Sequence, residues 1–203
     1  MTLMRNFVGP VKFFYRKPAR LRTGIFNALL KISLFFSRLL IAMVIAGQVQ
    51  AEPVSDAVVK TAFLYNFFKF IDWPEAVTQQ NYYSLCTTDN DQLGDSLLVL
   101  ENKTIGGKPI VIRRGINGRD LKNCHMVFID SSENTEAIIR NLKGLPVVTV
   151  SERLNFIDQG GMIGLVPGDN RLSFEVNLDA INAESIYISS QLLKLAKRVN
   201  KVK

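Results

Sequence analysis

The chain has 203 residues, with 25 Lys and Arg against 18 Asp and Glu, and a formal net charge of +7. The excess lies before residue 52, because residues 52–203 carry 17 basic and 18 acidic side chains. Nucleic-acid binding needs a concentrated basic surface, so this near-neutral balance argues against a nucleic-acid partner.

The first 51 residues have the three parts of a secretory signal. Eight basic side chains precede an uncharged apolar run over 39–47, and no acidic residue appears before Glu52. The small-residue exit predicts cleavage after Ala51, which gives a signal peptide over 1–51 and an exported domain over 52–203. An uncleaved signal anchor is the alternative, although this run is less than half of the roughly 20 apolar residues that span a bilayer.

Helical and extended patterns alternate through the domain. A helix is predicted over 55–71, with Ser55 as its cap and Trp73-Pro74 as its stop. Strands are predicted at 82–87, 109–113, 124–130 and 146–151, and two more helices are predicted over 92–100 and 132–142. Ser132 is the expected cap of the last of these helices.

In the C-terminal third, the alternation of helices and strands gives way to two consecutive strands. Strands over 162–166 and 171–177 are joined by a Pro-Gly-Asp-Asn turn, which predicts a hairpin. A final helix is predicted from Ser189, with Leu192, Leu195, Ala196 and Val199 on its apolar side. The whole pattern predicts a single three-layer α/β domain: a mostly parallel sheet, helices on both faces, and an antiparallel C-terminal hairpin at the edge.

The helix over 55–71 is apolar around almost its whole circumference, so both of its sides must be covered. Core burial, a homodimer or partner surface, and a ligand pocket lined by Tyr65 and Trp73 are the three explanations. For a partner surface, the sequence points to apolar side chains of this helix and of the 160–176 hairpin: Phe63, Leu64, Tyr65, Phe67, Phe68, Phe70, Met162, Ile163, Leu165 and Phe174.

Two cysteines, Cys86 and Cys124, fall inside the exported domain. An even number of cysteines in an exported chain favours a disulfide, and two buried free thiols are the alternative. Metal binding is not expected, because two Cys and the single His125 lack the spacing of a zinc site.

Catalytic motifs are not found. The chain has no G-x-S-x-G and no phosphate-binding loop, and the glycines of 160–164 precede a strand instead of opening a helix. Asp89, Asp91 and Asp95 begin like a calcium loop, but Leu100 stands where a bidentate Glu is required. We therefore predict no enzyme, no catalytic residue and no cofactor; a hydrolase that uses His125 as its base is the competing hypothesis.

Four segments resemble the YfiR/HmsC-like family of periplasmic regulators. They are KTAFLYNFFKF at 60–70 with Trp73-Pro74 behind it, GGMIG at 160–164, the strand with FEVN at 171–178, and SSQLLKLA at 189–196. Together they cover essentially the whole exported domain, in order.

The resemblance implies a compact, commonly dimeric α/β domain without catalytic activity. Such proteins repress an inner-membrane diguanylate cyclase through its periplasmic sensory part, and some are sequestered by an outer-membrane lipoprotein. Envelope or redox stress is thereby linked to cyclic-di-GMP and biofilm formation. Cys86 and Cys124 match the family's first disulfide pair, and a second pair found in some members is absent. A periplasmic small-molecule-binding module is the alternative function.

Overall fold

The computed structural model describes residues 31–35, 37, 55–168 and 171–200. The chain divides into two compact units, Met1–Glu52 and Pro53–Lys203. In the first unit, residues 31–35 and 37 are helical, and the rest of the predicted signal peptide lies outside the described residues. Within the described ranges, none of the helices has the length and apolar character needed to span a membrane.

The second unit alternates helices and strands. Its first half contains α1 (Asp56–Phe70), β1 (Ile71–Asp72), α2 (Glu75–Thr78), β2 (Tyr83–Thr87), a 3-10 helix (Gly94–Leu100), β3 (Thr104–Ile105) and β4 (Lys108–Arg113). Its second half contains a 3-10 helix (Gly118–Asn123), β5 (Met126–Ile129), α3 (Thr135–Leu142), β6 (Val148–Ser151), β7 (Ile163–Pro167), β8 (Leu172–Asn177), α4 (Leu178–Ala183), β9 (Tyr187–Ile188), α5 (Ser190–Leu193) and β10 (Arg198–Asn200).

Eight of these strands form one sheet in the order β10-β8-β7-β6-β5-β2-β4-β3. The five strands from β7 to β4 are mutually parallel, whereas β7 and β8 form an antiparallel hairpin in which Gly164 faces Glu175. A separate antiparallel pair joins β1 to β9. The predicted α/β class, with a mostly parallel sheet, is confirmed.

Side-chain alternation divides the core between the two faces of the sheet. In β5, Met126 and Phe128 belong to one apolar cluster, and Val127 and Ile129 belong to the other. Helix α1 supplies Leu64, Phe67 and Phe68 to the first cluster, and α3 supplies Leu142 to the second. Helices therefore cover both faces, because successive residues of a buried strand point to opposite sides.

Helix α3 begins three residues later than predicted. Asn134 is its cap, with Oδ1 accepting a hydrogen bond from the Ala137 N–H at 3.1 Å. The Ser132 hydroxyl instead donates to Asp130 Oδ1 at 2.7 Å. Ser132 therefore stabilises the turn that precedes the helix.

The predicted C-terminal helix is corrected to a single turn. Helix α5 ends at Leu193, and Leu195, predicted on the apolar side, is 68% exposed. The chain then forms β10, which runs parallel to β8, and the Lys197 N–H donates to the Phe174 carbonyl at 2.8 Å. A longer helix would have left the backbone groups of β8 unpaired, so strand pairing overrides the helical pattern. Because β10 lies beyond β8, one strand separates the β7–β8 hairpin from the edge of the sheet.

Candidate functional site

Helix α1 begins at a side-chain cap and ends in a strand. The Ser55 hydroxyl accepts a hydrogen bond from the Val58 N–H at 3.3 Å, and Asp56 and Lys69 carry the charges that favour the first and last turns of a helix. The helix ends at Phe70 because Ile71 pairs with Ile188 in the β1–β9 ribbon. This connection fixes the orientation of α1 above the sheet.

Seven of the ten side chains predicted for a partner surface are buried within the domain itself: Leu64, Phe67, Phe68, Met162, Ile163, Leu165 and Phe174. The Phe67 side chain is fully buried, and its ring lies 5.3 Å from that of Phe174 in an edge-on arrangement. Leu165 and Met162, although nearly fully buried, each border a groove at the surface, whereas the other five side chains cannot touch a partner unless the core opens. The structure therefore places these seven residues in the core, which was the first of the three explanations for the helix.

The other three predicted residues, Phe63, Tyr65 and Phe70, are partly buried. The Lys69 ammonium lies 4.3 Å from the centroid of the Tyr65 ring, a cation–π arrangement. The outward face of α1 also exposes Val58 and Ala62. Contact with a partner by α1 is thus limited to this outward face and to the ends of the helix.

The first turns of α1 and the β7–β8 hairpin meet at a groove of about 340 Å³, which we name the α1–hairpin groove. Asp56 and Lys60 line one wall, and Pro167 and Leu172 line the other. Leu154, in the β6–β7 connection, stands at the groove and is 74% exposed. A concave site with an exposed apolar side chain is the geometry expected of a protein-binding site.

The connection that carries Leu154 is held in place by its neighbour Arg153. The Arg153 guanidinium donates to the carbonyl oxygens of Ser131 and Glu133, at 3.0 and 3.4 Å. These bonds tie the β6–β7 connection to the turn before α3. Leu154 is therefore presented by an anchored backbone, which lowers the entropy lost when a partner binds.

Lys60 is a buried cation between two carboxylates. Its ammonium lies 2.5 Å from Asp56 Oδ2 and also contacts Glu152 Oε2, while only 8% of its side chain is exposed. Burial acts to lower the pKa of Lys60, but the hydrogen bonds to Asp56 and Glu152 outweigh it, so the pKa is raised. Lys60 therefore remains charged and joins α1 to the end of β6.

A disulfide joins Cys86 of β2 to Cys124, which precedes β5, as predicted from the sequence. The two Cα atoms are 6.1 Å apart, and both side chains are buried in the cluster beneath α3. The bond lies on the opposite face of the sheet from α1. It therefore stabilises the parallel centre of the sheet without contributing to the α1–hairpin groove.

His125 is a structural residue in this fold, with 1% of its surface exposed. The Ser84 N–H donates to Nδ1 at 3.1 Å, so Nε2 carries the proton and lies 3.4 Å from the Val77 carbonyl. Burial lowers the pKa of His125 and keeps the ring neutral. A substrate could not reach this base, and no group of three His, Cys, Asp or Glu within the described ranges could hold a metal ion.

Lys60, Glu152 and Leu154 were not singled out as site residues from the sequence. The available signal was the position of Lys60 four residues after Asp56 in a mostly apolar helix, a spacing that places the two side chains on one face. Glu152 and Leu154 have no comparable signal, because only the return of the chain from β6 brings them to α1.

A protein-family model described as YfiR/HmsC-like matches residues 57–197. The match begins in the first turn of α1, includes both cysteines and all lining residues of the α1–hairpin groove except Asp56, and ends immediately before β10. It covers more than half of the chain and most of the second compact unit. The chain belongs to the YfiR/HmsC-like family.

Proposed function

We propose that the protein is an exported, non-catalytic regulator that binds the periplasmic part of an inner-membrane diguanylate cyclase and represses it. The family match over 57–197 is the observation that carries this proposal, since the family is one of regulatory proteins. In this role the protein couples the state of the envelope to cyclic-di-GMP and biofilm formation. An outer-membrane lipoprotein would relieve repression by sequestering it.

The α1–hairpin groove supports this role by offering a surface for the cyclase. Leu154 provides exposed apolar area, and the anchored β6–β7 connection limits the ordering cost of association. The charged wall formed by Asp56, Lys60 and Glu152 favours a partner segment with complementary polar groups beside an apolar anchor. This assignment replaces the buried aromatic residues as the proposed contact with the cyclase.

The Leu154→Asp variant tests the function and the surface together. In a deletion strain, the unaltered gene should restore low cyclic-di-GMP, and Leu154→Asp should leave it high because a carboxylate in the groove prevents docking. Co-purification of the cyclase from membranes should fall by about tenfold or more with this variant. Leu98→Asp is the matched control, because Leu98 is exposed on the 3-10 helix outside the groove.

Two results distinguish an incorrect functional proposal from an incorrect choice of binding surface. Cyclic-di-GMP that stays the same after deletion, across growth and envelope-stress conditions, would contradict the regulatory role. Normal repression by Leu154→Asp would leave that role standing and move the contact away from the groove.

A homodimer forms part of the proposed assembly, with the outward face of α1 as its contact. Val58 is 44% exposed, and Ala62 follows it one turn later on the same face. Sedimentation equilibrium should give the mass of two chains, and Val58→Lys should shift the protein towards the monomer. A concentration-independent monomer would contradict this part of the proposal.

A small-molecule-binding module is the second candidate function. A groove of about 310 Å³ lies between α3 and α4, with Val147 and Met162 among its apolar lining. Arg140, Lys143 and Glu184 add charges at this groove. Thermal stabilisation of the purified protein by a defined metabolite, lost in Ala183→Asp at an exposed position of this groove, would favour this function.

A further inference from the structure

Strand β10 is an open edge of the sheet. Residues 198–200 pair with β8, and within the described residues no strand lies on their other side. The exposed backbone of such a strand is a template for a further strand. An edge of this kind binds a partner well only if it is held in place before the partner arrives.

Ion pairs hold β10 in place. The Arg198 guanidinium donates to Asp158 Oδ1 and Oδ2, both at 2.8 Å, and to Glu175 Oε2 at 2.7 Å. Asp158 lies in the β6–β7 connection and Glu175 lies in β8, so one side chain ties the edge strand both to its neighbouring strand and to that connection. The hydrogen bond from Arg198 lowers the pKa of Asp158, so this carboxylate keeps its charge at a lower pH than a free aspartate does.

The segment of sequence that contains β10 is rich in basic residues, although Asp158 and Glu175 neutralise Arg198 itself. Residues 194–203 contain five Lys and Arg and no Asp or Glu, whereas residues 52–193 contain 12 basic and 18 acidic side chains. Lys194 and Lys197 are exposed, and neither pairs with a carboxylate in the part of the chain that the structure describes, although the Lys197 ammonium donates to the Pro167 carbonyl at 3.1 Å. A second copy of this edge would meet like charges, which disfavours edge-to-edge pairing of two copies.

We propose that β10 accepts an extended, acidic segment of a partner protein as an additional strand of the sheet. Backbone hydrogen bonds supply the affinity, and acidic side chains beside Lys194 and Lys197 supply the preference. This surface is separate from the α1–hairpin groove and does not depend on the proposed regulatory function. The proposal adds to that function a second binding surface and the chemical character of the segment that would bind there.

Three synthetic peptides of eight residues test the proposal with the purified protein and fluorescence anisotropy. The first alternates Val and Glu, the second alternates Val and Lys, and the third alternates Pro and Glu. The Val-Glu peptide should bind with a Kd below about 1 mM, and the other two should bind at least about tenfold more weakly. The Pro-Glu peptide keeps the charge but cannot donate the backbone hydrogen bonds of a strand.

Amide hydrogen exchange locates the contact. Binding of the Val-Glu peptide should slow exchange within residues 198–200 and leave α3 unchanged. Equal affinity for the Val-Glu and Pro-Glu peptides would overturn strand addition, since charge alone would then account for binding. An absence of binding by the Val-Glu peptide up to about 1 mM would also overturn it.

The double variant Lys194→Glu/Lys197→Glu should weaken Val-Glu binding by about tenfold, because attraction becomes repulsion. Lys103→Glu/Lys122→Glu makes the same change of charge at exposed positions distant in sequence from β10 and should bind as the unaltered protein does. Vesicles containing phosphatidylglycerol test whether the basic residues bind a lipid surface instead. Binding to these vesicles through Lys194 and Lys197, without binding to the Val-Glu peptide, would overturn the proposal in favour of a lipid surface.

Discussion

The two halves of α1 have different structural roles. Its C-terminal half, from Phe63 onwards, carries five aromatic residues, of which Phe67 and Phe68 are buried in the core and the other three pack against it. Its N-terminal half, over residues 56–62, is less apolar and lines the α1–hairpin groove with Asp56 and Lys60. The comparison teaches that the most apolar part of an element stabilises the fold, whereas contact surfaces form where polar and apolar side chains meet.

The two halves should also differ in their response to pH. Lys60, in the N-terminal half, has a raised pKa, so its contribution to stability is lost in alkaline solution. In the C-terminal half, the Phe68 ring stacks on Trp73 at 5.4 Å, and Trp73 donates to the carbonyl of His125 at 3.1 Å. Since the pKa of His125 is lowered, this half should lose stability in acid.

The largest expected effect is that of Phe67→Ala. Deleting this fully buried ring should lower the free energy of unfolding by about 3 to 5 kcal/mol, because it leaves a cavity between α1 and Phe174. Urea unfolding followed by circular dichroism measures the change. Asn66→Ala, at an exposed position of the same helix, should change stability by less than about 0.5 kcal/mol. Similar values for both variants would contradict a core role for the C-terminal half.

Removal of the disulfide should come next in size. The double variant Cys86→Ala/Cys124→Ala should lose about 2 to 4 kcal/mol, because a loop with a sequence separation of 38 is no longer closed in the unfolded chain. Reductant should likewise lower the Tm of the unaltered protein. The loss should be the same in a Leu154→Asp background, because the bond and the groove lie on different parts of the fold. A native protein with a thiol that reacts readily would contradict this assignment.

Lys60→Met should cost about 1 to 3 kcal/mol at pH 7, because Glu152 is left without its cation. The folded pKa of Lys60 lies above the ordinary value of 10.5, so the folded state binds more protons than the unfolded state in alkaline solution. This contribution is complete below about pH 10.5 and disappears as the pH rises through the folded pKa. Unfolding curves between about pH 9 and 12 should show a larger loss of stability in the unaltered protein than in Lys60→Met.

The smallest expected effect concerns His125. Its folded pKa lies below the ordinary value of 6.5, so the unfolded state binds more protons in acid and stability falls as the pH drops below about 6.5. Unfolding measurements at pH 7 and pH 5 should show this fall, and it should shrink in His125→Asn. Regulatory activity at pH 7 should persist in that variant. Loss of an enzymatic activity in a stable His125→Asn protein would support the hydrolase hypothesis instead.

Much of the fold is readable from local patterns. Short apolar strands separated by helices predict the parallel sheet, because only strands buried on both faces lack polar alternation. The disulfide was predicted from an even cysteine count in a chain with an export signal. Both inferences depend on composition and order along the chain, and both are confirmed. The export signal itself stays a prediction.

The structure overturns the long C-terminal helix, whereas the partner surface on α1 stays a prediction. A helical pattern over 189–199 was overridden because the outer edge of β8 needs a hydrogen-bonding partner, and that need exists only in the folded sheet. The aromatic residues of α1 gave no indication of which face would be covered, since a helix that is apolar all round has no preferred side.

By itself, the sequence determined the class of fold, the cysteine pairing and the family, because periodicity, residue counts and ordered motifs are properties of the chain alone. Only the tertiary structure decided that Leu154 and Glu152 stand beside Lys60, and that residues 198–200 form an edge strand. Contact between residues far apart in the chain depends on how all the strands and helices assemble, and local sequence patterns carry no information about that assembly.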